Sequence, residues 1–282
     1  MAKMPLGVMI GVGKVMGGAL KRLAEAGFTT MQTSSPPAEY LSEPKLGELK
    51  SRIAEAGFTV TSVAAVYAGE SYADIETVRR TVGLLPPATR TSRIQDTKRT
   101  ADFARALGAR NITSHIGYIP EDTSDPDYTG LVAALQEICD YLARHTDGGQ
   151  SFCLETGQET AEALKGFIAE VGQDNLKVNF DPANMIMYGT GDPIEALDAL
   201  APWVAGVHCK DGVWPKGPGQ LGEERKLGEG EVGIERFLAK LRDIGYDGPL
   251  TIEREIAGEQ QIEDFIAGGR LLDGVKARLG IR

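Results

Sequence analysis

The chain has 282 residues, of which 42% are hydrophobic and 25% are charged, as in ordinary globular proteins with a sizeable core. A net charge of −10 without any block of basic residues is atypical of proteins that follow a phosphate backbone, so no nucleic-acid partner is expected. The sequence has no apolar run near the roughly 20 residues of a membrane helix and no signal-peptide pattern, so neither a membrane partner nor export is expected. Its three cysteines have no metal-ligand spacing, which fits a reducing compartment. Together these features predict a cytoplasmic protein.

A short internal repeat indicates how the chain is organised. Residues 22–30 read RLAEAGFTT, and residues 52–60 read RIAEAGFTV. Each copy has the pattern of a helix end, then a glycine suited to the left-handed conformation that follows many helices, then the start of a strand. Looser versions occur at 105–113 and 242–252. The repeat therefore predicts units in which a helix leads into a buried strand.

Apolar runs that follow these marks predict eight strands, at residues 6–12, 29–33, 59–66, 111–116, 152–155, 177–180, 205–208 and 249–253. Helical patterns separate every pair. This alternation favours a single α/β domain over residues 1–282, a closed (β/α)8 TIM barrel. An open doubly wound sheet is the alternative, but no GxGxxG turn follows the first strand. We interpret the glycines there, Gly11, Gly13, Gly17 and Gly18, as a loop.

Two segments are longer than usual connections in such a fold, residues 68–93 and residues 212–233. Because each follows a strand, both are expected to rise from the carboxyl end of the barrel, as lids or subunit contacts. For the first segment, a surface insertion without a function is the alternative interpretation.

Four predicted strands end at or next to a side chain that can bind a metal, namely Glu155, Asp181, His208 and Glu253. Parallel α/β proteins build their active sites at this end of the strands. Since side chains alternate along a strand, Lys210 is expected on the same side as His208, and His115 is expected to point inward from the fourth strand.

Three carboxylates in one place repel one another unless a cation lies among them, and a divalent metal is the natural cation. Carboxylates with one imidazole favour Mn²⁺ or Mg²⁺, with Co²⁺, Fe²⁺ and Zn²⁺ as alternatives. Three of the four residues also have an interpretation without function: Asp181 as a turn or helix cap, His208 as a hydrogen-bonded core residue and Glu253 as part of a solvated strand end. The metal site is favoured because inward charges without a function cost free energy.

The segments around these residues resemble a known family. FCLETG, VNFDPANMIMYGTGDP, VAGVHCKDG, LGEGEVG and GPLTIERE together resemble the sugar phosphate isomerase/epimerase group of the xylose isomerase-like barrels, which includes ketose 3-epimerases, hydroxypyruvate isomerase and inosose dehydratase. The resemblance is strong over residues 152–256 and weaker around His115. It implies that the four residues bind a metal, that Glu155 and Glu253 are also the acid and base, and that the protein forms a homodimer or homotetramer.

Two departures narrow what the resemblance implies. Ketose 3-epimerases tend to have a histidine near the position of Asn184, so the ketose specificity stays open. Endonuclease IV, a distant relative, needs more histidines for its zinc ions than the three of this chain, and DNA repair is not expected. One of the three, His145, is interpreted as a cation that complements the dipole at a helix end.

The resulting hypothesis is a divalent-metal-dependent isomerase or epimerase of a sugar or keto-sugar, with or without a phosphate. One glutamate takes a proton from the carbon next to a carbonyl, an enediolate forms, and the other glutamate returns the proton. Lys210 is expected to donate a hydrogen bond to the substrate, unless it is an exposed lysine past the strand end. Further substrate-binding candidates are His115, Asn184 and Trp214. The alternatives are a dehydratase, in which the enolate expels a β-hydroxyl, and a sugar-binding barrel without catalysis.

Overall fold

Eight parallel strands close into a barrel in this structure, a computed structural model that describes residues 3–144 and 149–281. The predicted α/β barrel is confirmed. The strands in chain order are β1 (Leu6–Met9), β2 (Thr30–Ser34), β3 (Thr59–Ala64), β4 (Asn111–Ser114), β5 (Ser151–Glu155), β6 (Leu176–Phe180), β7 (Val204–Cys209), β8 (Asp211–Val213), β9 (Glu223–Arg225) and β10 (Leu250–Ile252). All except β8 and β9 belong to the barrel, while β8 and β9 form an antiparallel hairpin outside it. His145 lies outside the described residues, so its role stays a prediction.

Helices follow every strand of the barrel, as the sequence patterns predict. They are α1 (Val12–Met16), α2 (Ala19–Glu25), α3 (Lys45–Glu55), α4 (Ile75–Thr81), α5 (Pro87–Ala106), α6 (Pro126–Arg144), α7 (Ala161–Val171), α8 (Pro182–Tyr188), α9 (Pro193–Leu200), α10 (Ile234–Asp243) and α11 (Gln260–Leu279). Short 3-10 turns span Ala38–Leu41 and Ala201–Trp203. In the part of the chain that the structure describes, no helix combines the length and the apolar character needed to cross a bilayer.

The end of the first strand was predicted wrongly. The strand stops at Met9, and Val12 opens α1, which also contains Gly13, so the glycine-rich stretch is partly helical rather than a loop. The apolar run misleads here because Val12 and Val15 are buried on one side of a helical turn. The other seven predicted barrel strands differ from the structure by at most two residues at either end.

The glycines of the internal repeat take the predicted left-handed conformation. Gly27 and Gly57 have φ values of +92° and +75°, and the looser copies place Gly108 at +79° and Gly245 at +78°. A side chain at such a position would strain the backbone. The repeat therefore corresponds to the turn that leads from a helix into the next strand.

The pairing of β6 with β7 brings two of the predicted metal ligands together. A bulge follows Val178, so that Asn179 pairs with Gly206 and Phe180 pairs with Val207. The next residues of these strands, Asp181 and His208, therefore lie side by side at the carboxyl end. Gly206 leaves room for Asn179, because a Cβ there would lie 2.6 Å from Asn179 Oδ1.

Both long segments contain regular structure. Residues 68–93 include α4 and the start of α5, and buried Arg93 fixes this segment by donating to the carbonyl oxygens of Thr81 at 2.8 Å and Gly83 at 2.6 Å. Residues 212–233 include most of the β8–β9 hairpin, and buried Asp211 accepts main-chain hydrogen bonds from Gly228 and Val232. Roles as lids or subunit contacts stay predictions for both.

Candidate metal centre

The four predicted ligands converge at the carboxyl end of the barrel. One ligand atom from each of Glu155, Asp181, His208 and Glu253 lies within 4.8 Å of all the others. His208 Nδ1 lies 3.2 Å from Glu155 Oε1 and 3.3 Å from Glu253 Oε2. The same nitrogen lies 3.5 Å from Asp181 Oδ2.

These separations fit a single divalent ion. Donor atoms bound to one ion at about 2.1 Å lie about 3.0–3.4 Å apart in tetrahedral or octahedral geometry. Among the described residues, Asp181 Oδ2 and His208 Nδ1 are also buried without any hydrogen-bond partner. A buried polar atom without a partner costs about 1–3 kcal/mol, and an ion between these atoms would remove that cost. The residues present therefore fit a metal.

Asp181 is held in place as a helix cap. Its Oδ1 accepts hydrogen bonds from the main-chain nitrogens of Ala183 at 2.8 Å and Asn184 at 3.0 Å, at the start of α8. Pro182, the first residue of that helix, has no N–H that needs a partner. The predicted cap is confirmed, and it orients the second oxygen, Oδ2, toward His208.

His208 is oriented by a residue that the sequence analysis did not identify. Its Nε2 lies 3.0 Å from Gln32 Oε1, while Gln32 Nε2 donates to Thr251 Oγ1 at 3.4 Å. Because an amide oxygen only accepts, His208 Nε2 carries a proton and donates a hydrogen bond to Gln32. Nδ1 therefore faces the carboxylates, where the neutral form of the ring would bind a metal ion. The available signal was an amide side chain within a short strand, two residues after Thr30 and therefore on the same side of the strand.

Lys210 lies next to the centre and its side chain is 1% exposed, so the alternative of an exposed lysine is wrong. Its Nζ donates to Glu253 Oε2 at 3.1 Å and to Asn184 Oδ1 at 3.2 Å, and it also contacts Glu255. Asn184 in turn donates from Nδ2 to Glu155 Oε1 at 3.3 Å. These bonds link the two glutamates through one lysine and one amide.

The other two candidate substrate-binding residues have different positions. His115 Nε2 lies 3.7 Å from Glu155 Oε1, and the His115 side chain lines the cavity above the centre. Trp214 is 39% exposed and lies just beyond β8, and its main-chain nitrogen donates to Glu231 Oε2. It is not among the residues that line the cavity. The structure thus brings His115 to the centre but not Trp214.

Burial and neighbouring charges shift the pKa values of the ionisable side chains at the centre. Burial raises the pKa of Asp181, although Lys210 and His208 act against this shift. Burial also opposes ionisation of Glu253, but Lys210 and His208 hold its pKa well below the usual range. For His208, burial alone would lower the pKa, but the carboxylates of Glu253 and Glu155 raise it well above the usual value. The carboxylates therefore make this position strongly favourable for positive charge.

A cavity of about 420 Å³ opens above the centre. Glu155, Glu253, Asn184 and His115 line it. No substrate role was predicted for the remaining residues that line the cavity, which are Met9, Ala64, Val66, Tyr72, Met187, Tyr188, Leu221, Gly222, Glu224 and Glu255. Tyr188 could have been identified, since it ends the same stretch that contains Asp181. Tyr72, whose ring centroid lies 5.9 Å from that of His115, belongs to the long segment that has no clear periodicity.

Comparisons with known proteins agree with this architecture. The sequence model of a family described as xylose isomerase-like TIM barrel matches residues 20–271. A xylose isomerase domain protein from Planctomyces limnophilus has a crystal structure that is 39% identical, with a TM-score of 0.90 and coverage of 99% of both chains.

Two further structures share the fold at lower identity. A D-tagatose 3-epimerase-like protein is 21% identical, with a TM-score of 0.72 and coverage of 98% of both chains. The probable 3-DHS dehydratase AsbF from Bacillus anthracis is 18% identical, with a TM-score of 0.70 and coverage of 96% of this chain and 99% of that protein.

Curated relatives are more distant and longer. The uncharacterised protein YihM from Escherichia coli is 28% identical over 179 residues, which are 62% of this chain and 53% of YihM. The uncharacterised protein MJ1311 from Methanocaldococcus jannaschii is 27% identical over 157 residues, 53% of this chain and 52% of that protein. The chain thus spans about half the length of the curated relatives that it matches.

Proposed function

The chain belongs to the xylose isomerase-like TIM barrel family, and from this premise we propose that it is a divalent-metal-dependent isomerase or epimerase of a sugar or keto-sugar. One observation carries the proposal. Glu155 and Glu253 line the same cavity, and both reach the same candidate metal centre. A pair of carboxylates next to one substrate position can remove a proton and return it.

In this proposal the four converging residues, Glu155, Asp181, His208 and Glu253, hold Mn²⁺ or Mg²⁺. When bound, such an ion supplies a Lewis acid that polarises a carbonyl group. Glu155 or Glu253 takes the proton from the carbon next to that carbonyl, and the other glutamate returns it. Return to the opposite face of the carbon gives an epimer, and return to the neighbouring carbon gives an aldose–ketose pair.

The remaining polar residues position the substrate and the acid–base pair. Lys210 is buried and does not line the cavity, so in this proposal its Nζ orients Glu253, to which it donates at 3.1 Å, in place of the expected hydrogen bond to the substrate. Asn184 and His115, both next to Glu155, hold substrate hydroxyls. Trp214 has no role in this proposal, because its side chain does not line the cavity.

A dehydratase is the second candidate. The shared fold with the probable 3-DHS dehydratase from Bacillus anthracis favours this reaction. The reaction chemistry also favours it, because the same enolate can expel a β-hydroxyl group instead of taking back a proton. A product that is lighter by one water would identify this reaction.

The test is proton exchange in D₂O. The Mn²⁺-loaded protein is incubated with a panel of ketoses and keto-inositols, and deuterium is located by NMR and mass spectrometry. We expect deuterium at one carbon next to the carbonyl of at least one compound. Saturable binding of a panel compound without exchange would contradict the proposal and indicate a sugar-binding protein.

A further inference from the structure

The cavity above the candidate metal centre carries charge of one sign. Its charged lining residues are Glu155, Glu224, Glu253 and Glu255, and among the described residues no lysine or arginine lines it. Of these, Glu224 and Glu255 lie outside the ligand set, so an ion bound by the four ligands would not coordinate them. A phosphate or carboxylate group on the substrate would meet like charges without a cationic partner.

Two basic residues that contact residues of the cavity lining are already paired with carboxylates. Buried Lys210 is held by Glu253, Glu255 and Asn184. Arg254 binds Glu224 Oε2 at 3.1 Å and Asp264 Oδ2 at 2.9 Å, and its side chain is 18% exposed. Neither side chain is available to hold an anionic group.

The main-chain donor at this position is also occupied. TIM barrels frequently bind phosphate with the loops that follow their last two barrel strands. Here the main-chain nitrogen of Glu255, just after β10, donates to both carboxylate oxygens of Glu224, at 3.0 Å and 3.2 Å. A carboxylate of the protein therefore already engages this main-chain donor.

The rest of the cavity lining is largely apolar. Its apolar residues include Met9, Val66, Tyr72, Met187, Tyr188 and Leu221. Val66 and Tyr72 remain 54% and 46% exposed, although most large apolar side chains of the chain are buried. Exposed apolar side chains that are grouped in a cavity are typical of ligand-binding surfaces.

We propose, as a refinement that depends on the proposed function, that the substrate is an uncharged keto-sugar or cyclic polyol ketone without phosphate or carboxylate. The chelating carbonyl end faces the candidate metal centre. The far end places a C–H face or a deoxy carbon against the apolar wall formed by Met9, Val66, Tyr72, Met187 and Leu221.

The test compares matched ligands on the Mn²⁺-loaded protein. Each ketohexose of a panel is paired with its 6-phosphate and its 6-deoxy counterpart, and both calorimetric affinity and deuterium exchange are measured. We expect the free and 6-deoxy sugars to bind similarly, and the phosphate esters to bind about 100-fold more weakly. Equal or tighter binding of the phosphate esters would overturn the inference, and so would the absence of binding by every free sugar.

A variant pair provides the control. Val66→Lys adds a cation at a half-exposed cavity position, and Val66→Gln adds a neutral side chain there. We expect Val66→Lys to reduce the difference in affinity between free and phosphorylated sugars about tenfold. Val66→Gln should leave this difference in affinity unchanged. An equal difference in affinity in both variants would show that the far end of the sugar does not reach this wall.

The two proposals can fail separately. If free sugars bind preferentially but no compound exchanges deuterium, the proposed function is wrong while the inference on the class of ligand stands.

Discussion

Asp181 uses its two carboxylate oxygens for different purposes. Oδ1 caps α8, and Oδ2 faces His208 Nδ1 at 3.5 Å without a hydrogen-bond partner among the described residues. From the sequence alone, a helix cap and a metal ligand were competing interpretations of Asp181. In the structure they are compatible, because the bonds to Oδ1 fix the direction of Oδ2. The cap could be predicted from the Asp-Pro pair, but the direction of Oδ2 depends on the register between β6 and β7.

Replacement of Glu155 by glutamine tests the acid–base pair. Glutamine keeps the shape of the side chain but cannot take a proton, so deuterium exchange should fall by about 10²–10⁴-fold. The thermal unfolding midpoint should stay near that of the wild type. The matched control is Glu162→Gln, an exposed position on α7. Exchange at the wild-type rate in the Glu155→Gln protein would refute the role of Glu155.

Gln32 tests the orientation of the imidazole. In Gln32→Leu, Nε2 of His208 loses its acceptor at 3.0 Å, and the ring no longer favours the tautomer that presents Nδ1. We expect the affinity for Mn²⁺, measured by calorimetry, to fall about 10–100-fold. Gln173→Leu, outside the barrel, serves as the control. Unchanged affinity in Gln32→Leu would mean that Gln32 does not orient the ligand.

At the scale of elements, local patterns predicted the barrel strands and the glycine turns, but not the hairpin formed by β8 and β9. Glu223–Arg225 is a charged strand without an alternating apolar pattern, and it pairs in register with Asp211–Val213. Side-chain contacts with the end of β10 hold it in place, and such contacts between distant segments leave no local signal. For the same reason, the sequence did not reveal that the hairpin lines the cavity.

Arg254 tests how the hairpin is fixed. Arg254→Met removes the ion pairs with Glu224 and Asp264, which are partly buried at 14% and 6% side-chain exposure. Loss of these two charged hydrogen bonds should lower the free energy of local opening by about 1–3 kcal/mol. Hydrogen exchange of residues 211–225 should therefore accelerate about 5- to 150-fold, with little change in α6. Arg236→Met, which removes an exposed pair, is the control. Equal exchange in both variants would show that Arg254 does not hold the hairpin.

At the scale of the whole molecule, closure of the barrel determines which residues meet. β1 pairs with both β2 and β10, so the eight strand ends form one ring, and four of them supply the candidate centre. The positions of these four residues near strand ends could be predicted from the sequence. Their convergence within 4.8 Å was an inference from the expected ring of strands. The role of Gln32 could not be predicted from the sequence, because its partner His208 lies 176 positions away.

Glu159 gives a prediction for the stability of the whole protein. Burial raises the pKa of its carboxyl from 4.5 to about 7, although Ile119 donates a main-chain hydrogen bond to it. The stability that this proton confers is complete below about pH 4.5 and is lost as the pH rises through about 7. Glu159→Gln should therefore exceed the wild type in unfolding free energy at pH 8, by about 1–2 kcal/mol, and match it near pH 5. Urea unfolding at both pH values checks this, with exposed Glu170→Gln as the control. A difference between Glu159→Gln and the wild type that does not change with pH would contradict it.

Anomalous X-ray scattering from crystals grown with Mn²⁺ tests the metal centre most directly. We predict one strong peak bounded by Glu155 Oε1, Asp181 Oδ2, His208 Nδ1 and Glu253 Oε2, at about 2.0–2.3 Å from these atoms. Saturating Mn²⁺ that gives no peak between the four side chains, or a peak bound by other residues, would contradict the account.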